Sequence, residues 1–129
     1  MSQLTFQYDE SYFPAFPVVE IEIDGYDATS ARQTLLALVD SGADGSMIPF
    51  PMLQAVGATF EDSVQMRGVT GGVQTVDRYT IAVRIGVHVV QAVHAVAVAS
   101  DGEAVIGRDV LNDLVVTLNG PAHVIEILL

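Results

Sequence analysis

The chain has 129 residues, half of them hydrophobic, with 16 acids against five arginines, no lysine and a net charge of −11. That length fits one core-bearing domain spanning 1–129 and leaves no room for two. So acidic a surface argues against nucleic-acid or anionic-membrane partners, and the lack of cysteine excludes disulfides, thiol catalysis and Cys-based zinc sites.

The first ten residues lack the basic and apolar segments of a signal peptide. The most apolar stretch, 87–99, carries His88, Gln91 and His94 and is too short to span a bilayer. A cytoplasmic location is the expectation. Val18–Asp24 alternates apolar and acidic residues and predicts a half-buried strand. A polar loop follows over 25–32. The apolar run 34–39 predicts a buried strand that ends at Asp40. Pro51 near its start and Gly57 at its end frame a short helix. Gly68, Gly71 and Gly72 sit between strand-like flanks within 64–76, which suggests a mobile hairpin. Residues 79–85 and 87–99 read as strands joined at Gly86, and 100–103 as a turn. A short buried strand is expected at 104–107, then a helix over 108–114. The last strands, 115–118 and 123–128, are joined through Asn119-Gly120-Pro121. The sum is a mainly β domain with one or two short helices. An apolar strand running into a glycine turn occurs twice, at 35–42 and at 104–107.

The chemistry concentrates in Leu38-Val39-Asp40-Ser41-Gly42-Ala43-Asp44. An apolar strand delivers one carboxylate, Asp40, into a tight Ser-Gly turn. Some 65 residues later stands Val105-Ile106-Gly107-Arg108-Asp109. The first segment resembles the Asp-Thr/Ser-Gly-Ala motif of retropepsin-like aspartic proteases, and the second their Ile-Gly-Arg-Asp/Asn segment. The resemblance extends over roughly 17–128 in element order.

That resemblance implies a closed acid-protease β barrel, half of a homodimer, with no cofactor and no metal. Asp40 would be the catalytic residue. Two copies, one per subunit, would hold and activate a water for hydrolysis of peptide bonds in a peptide or protein substrate. Ser41 would reach across the dimer axis. Gly42 lets the backbone approach the carboxylate, and Ala43 withholds a hydroxyl that would lower its pKa. Asp44 and Arg108 would form an ion pair bracing the active-site loop, with Asp109 a helix-start residue. Gly68, Val69, Thr70, Gly71 and Gly72 would form the flap over an extended substrate. The terminal strands, Leu4–Tyr8 and His123–Leu129, would interleave with those of the second subunit; pairing within one subunit is the alternative.

Other readings fare worse. His88 and His94 share a face of a straight strand, but no third ligand has recognisable spacing. Gly-x-Ser-x-Gly is absent, which removes the nucleophile elbow of serine hydrolases. The Gly42–Gly45 stretch lacks the lysine of a phosphate loop. The rival of a different class is a catalytically silent dimeric peptide-binding or scaffold domain on the same fold.

Overall fold

A computed structural model describes residues 2–27 and 29–129. Met1 and Ala28, the latter within the predicted 25–32 loop, lie outside the described residues. The elements in chain order are β1 (Gln3–Gln7), β2 (Val18–Asp24), β3 (Gln33–Val39), β4 (Met47–Pro49), α1 (Phe50–Ala55), β5 (Thr59–Arg67), β6 (Val73–Ile85), β7 (His88–Val98), β8 (Val105–Ile106), α2 (Arg108–Leu111), β9 (Val115–Asn119) and β10 (Val124–Leu128).

Seven strands form one sheet in the order β2-β3-β8-β4-β7-β6-β5, and β2 also pairs with β6. The additional pairing closes six of them into a ring, with β5 hanging outside as the free arm of the β5–β6 hairpin. Alternation along β2 explains its place. Val19, Ile21 and Ile23 are fully buried while Glu20 faces solvent. Ile81, Val83, Ile85 and Ile106 meet them inside. Each such side chain contributes about 1.5–3 kcal/mol on leaving water, so the ring is held mainly by its aliphatic filling.

The two strand-to-glycine echoes seen in the sequence lie side by side. β3 and β8 run parallel, with Leu38 opposite Val105 and Val39 opposite Ile106. Next to them β4, which no periodicity in the sequence announces, bridges β8 and β7. Helix α1 ends as its glycine predicts. The Ala58 N–H donates to the Leu53 carbonyl and the Gly57 N–H to that of Gln54, both at 3.0 Å, which is a Schellman ending. The α-helical part of α2 stops at Leu111 instead of reaching 114, because the chain tightens to i→i+3 bonds at Asp113 and Leu114.

β1, β10 and β9 form a separate antiparallel sheet. Gln3 lies opposite Leu128 and Gln7 opposite Val124. Within the chain, then, β1 occupies the β10 edge that the resemblance assigns to a second subunit. Ile125 and Ile127, both fully buried, fasten this sheet to the barrel core together with Leu4 and Phe6.

β7 is not straight. Ala92 has φ of +55°, and the β6–β7 register slips between Ile81 and Val83. One extra residue reverses which face later residues take. His88 therefore meets Asp113 at 3.5 Å while His94 lines a cleft by the Asp40 loop.

Candidate active site

Asp40 stands one residue beyond β3, and its backbone N–H donates to the Ile106 carbonyl of the neighbouring strand at 3.1 Å. The chain then turns back, with the Ala43 N–H donating to the Asp40 carbonyl at 3.1 Å. Within that turn the Gly42 N–H donates to Asp40 Oδ1 at 2.9 Å. A Cβ on Gly42 would lie 3.1 Å from the same oxygen, so the smallest residue is what lets the backbone come this close. One oxygen of the carboxylate is thus fixed by the main chain. The other has no donor among the described residues.

The far side of the loop is clamped by the β8–α2 junction. Ser46 is fully buried, and both its donors serve one carboxylate. Its N–H reaches Asp109 Oδ2 at 2.9 Å and its hydroxyl reaches Oδ1 at 2.7 Å. The same hydroxyl oxygen accepts the Gly107 N–H at 3.1 Å. The Arg108 N–H donates to the Ala43 carbonyl at 2.9 Å, and Arg108 Nη1 donates to the Ser41 carbonyl at 2.7 Å. Among the described residues Arg108 makes no ion pair with Asp44. Its guanidinium is drawn to the turn carbonyl, and Asp44 faces the cleft instead. Arg108 thus braces the turn through the Ser41 carbonyl instead of through Asp44, and Ser46 and Asp109 add a second brace that no motif in the sequence connects. They are 63 residues apart, and a serine beside a glycine carries no signal of so distant a partner.

Residues 68–72 form the tip of the β5–β6 hairpin, where Arg67 opposes Val73. The Gly68 N–H donates to the Gly72 carbonyl at 2.9 Å and the Gly71 N–H to that of Gly68 at 3.0 Å. Every tip residue, Val69 and Thr70 included, is exposed. Lower down, Arg78 Nε and Nη2 form a two-pronged bond to Asp62 at 2.8 and 2.6 Å. Those bonds hold the Asp62 carboxyl below its usual range and push the Arg78 guanidinium above its own.

Two cavities flank the Asp40 turn. One, of about 520 Å³, opens between Asp44–Met47 and the hairpin arms, with Met66, Arg78 and His94 among its walls. The other, of about 420 Å³, lies on the Leu36–Leu38 side. Among the described residues no three His, Asp or Glu side chains converge as a metal site requires, and no helix is long and apolar enough to cross a membrane.

The family described as gag-polyprotein putative aspartyl protease matches residues 26–113, well over half of the chain. The chain belongs to this family. Among solved structures, "EIAV protease complexed with the inhibitor HBY-793" is similar at a TM-score of 0.52 and 20% identity, over 76% of this chain and 86% of that one. The barrel is therefore the retropepsin-like fold, as the Asp40 and Gly107 motifs led one to expect. No curated protein matches the chain.

Proposed function

We propose that the protein is a homodimeric aspartic endopeptidase whose two catalytic carboxylates are Asp40 from each of two copies. The observation that carries the reading is the Asp40 turn itself. A carboxylate at a strand end has one oxygen pinned by the Gly42 N–H and the other open, on a chain belonging to an aspartyl protease family. Peptide hydrolysis of this kind needs a pair of carboxylates, and the sequence presents one such turn, so a second copy completes the site.

In the dimer the two carboxylates share one proton, because like charges this close do not both ionise; aspartic protease dyads are the standing example of this splitting. The ionised member takes a proton from the water between them as it attacks the peptide carbonyl. The protonated member donates a hydrogen bond to the carbonyl oxygen, and the departing amine is then protonated. Ser41 lies beside the dyad at the subunit junction. Gly68–Gly72 act as the flap, closing over the substrate and donating main-chain hydrogen bonds.

The test is cleavage of casein from pH 4 to 8 by wild type and by Asp40→Asn, with the oligomeric state measured on both. Cleavage lost in the mutant, from a protein that sediments as a dimer, is the expected result. Equal cleavage by both would refute the role of Asp40. A dimer inert in both forms would favour the silent binding domain.

A further inference from the structure

The cavity beside Leu36 and Leu38 has features that go beyond the reaction. Its wall is aliphatic, with Pro49 and Met52 completing it. Residues two apart on a strand share a face and stand about 7 Å apart, so the Leu36–Leu38 wall runs along β3 toward Asp40. Leu36 is 61% exposed, an apolar surface left open among the described residues.

Two carboxylates from separate segments reach the same cavity. Asp9 comes from the segment before β2 and Glu103 from the turn before β8. Tyr12 ties these segments together, its hydroxyl donating to Glu103 Oε1 across 91 residues of sequence. Asp9 Oδ1 accepts both the Ser11 N–H at 2.9 Å and the Ser11 hydroxyl at 2.6 Å. Each carboxylate is therefore oriented through one oxygen, and the other, Asp9 Oδ2 or Glu103 Oε2, has no donor among the described residues. None of the five arginines lines this cavity. The Ser11 bonds hold the Asp9 carboxyl below its usual range, and the bond to Glu103 pushes the Tyr12 phenol up to about 12. The first stays anionic in mild acid, and the second stays a donor.

An aliphatic wall with two open carboxylate oxygens suits a long apolar stem ending in a cation. A glutamate side chain would be repelled here. Norleucine would gain the wall but leave the carboxylates unanswered. We propose that this cavity selects a lysine or arginine side chain of an extended peptide, next to the bond that Asp40 acts on. The position of that bond rests on the protease reading; the selection itself does not. The net charge of −11 works in the same direction over longer range, drawing cationic peptides toward the protein.

The experiment uses three blocked octapeptides that differ only in a central lysine, norleucine or glutamate. Their binding to Asp40→Asn is measured by calorimetry, and their cleavage by wild type in parallel. The lysine peptide is expected to bind about five- to tenfold tighter than the norleucine peptide, from two partly exposed charge pairs. Asp9→Asn combined with Glu103→Gln should bring the two to parity. A control pair elsewhere on the surface, Glu20→Gln with Glu126→Gln, should keep the preference despite the same change in net charge. Norleucine binding as well as lysine, or a preference that survives the Asp9/Glu103 change, overturns the proposal. Lysine preference in binding with no cleavage of any peptide by wild type would sustain the cavity's selectivity and sink the protease reading instead.

Discussion

The turn at 40–46 and the turn at 68–72 adjoin the same 520 Å³ cleft, the first through Asp44 and Gly45, the second through Arg67. Both are rich in glycine, yet they are held in opposite ways. The 40–46 turn is bonded to a distant segment through the Ile106 carbonyl, the Arg108 N–H and guanidinium, and the Asp109 carboxylate. Among the described residues the 68–72 turn has two main-chain bonds, both to itself. Local opening costs little where bonds are few and exposed, and approaches the global stability where they are buried and long-range. Glycine thus serves two ends in one molecule. At Gly42 and Gly107 it allows close packing, whereas at 68–72 it removes constraint.

The sharpest way to break this contrast is Gly107→Ala. The added Cβ would lie 2.7 Å from the Ala43 carbonyl oxygen and 2.9 Å from that of Gly45, both main-chain atoms that a rigid turn cannot withdraw. A loss of at least about 3 kcal/mol is expected in urea unfolding; a change under about 0.5 kcal/mol would show that the turn yields. Ser46→Ala comes next. It strips the Asp109 carboxylate of one donor and the Gly107 N–H of its acceptor in a buried setting, at an expected cost of about 2–3 kcal/mol. A neutral result on the same assay would remove Ser46 from the clamp.

Changes at the hairpin tip should be smaller. Gly71 has φ of +87°, so Gly71→Ala strains the tip by about 1 kcal/mol. Gly72→Ala meets nothing within 4 Å and should stay within about 0.5 kcal/mol. Hydrogen exchange of the hairpin amides separates the two, and equal effects would mean that the tip conformation does not matter. The smallest effect is the response to acid. Arg78 holds the Asp62 carboxyl below its usual 3.8, so the stability from this pair is present above that pH and is lost as pH falls through the lowered value. Hairpin protection, taken relative to the intrinsic exchange rate at each pH, should hold above pH 3.8, fall below it in wild type and show no such fall in Arg78→Gln; parallel curves would assign the acid response elsewhere.

Much of the fold was legible because local pattern and tertiary role agree. Val18–Asp24 alternates and becomes a strand with those bounds, and the Pro51–Gly57 punctuation brackets α1 to within a residue or two. What stayed hidden was long-range. Three residues, Met47–Pro49, become a strand only because β7 and β8 lie ready on either side. A single residue of bulge at Ala92 overturned the face-sharing expected of His88 and His94. In the site, Asp40 and Gly42 announced themselves through a short motif. The Ser46–Asp109 link did not, since a hydrogen bond across 63 residues leaves no local periodicity. The Asp44–Arg108 pairing was inferred from likeness alone, and the guanidinium found a nearer acceptor in the Ser41 carbonyl.

The β1–β10 ladder has a bearing on how the protein is made. β1 ends at Gln7, and its partner begins at Val124, so more than a hundred residues separate a strand from the edge it needs. At ribosomal rates of roughly 5–20 residues per second, β1 waits on the order of ten seconds before its partner is synthesised. During that interval Leu4 and Phe6, which later face the core, are available to chaperones or to neighbouring nascent chains. Joining the terminal sheet is thus a late step in biogenesis, and the yield of folded protein in a cell should depend on what covers β1 while it waits.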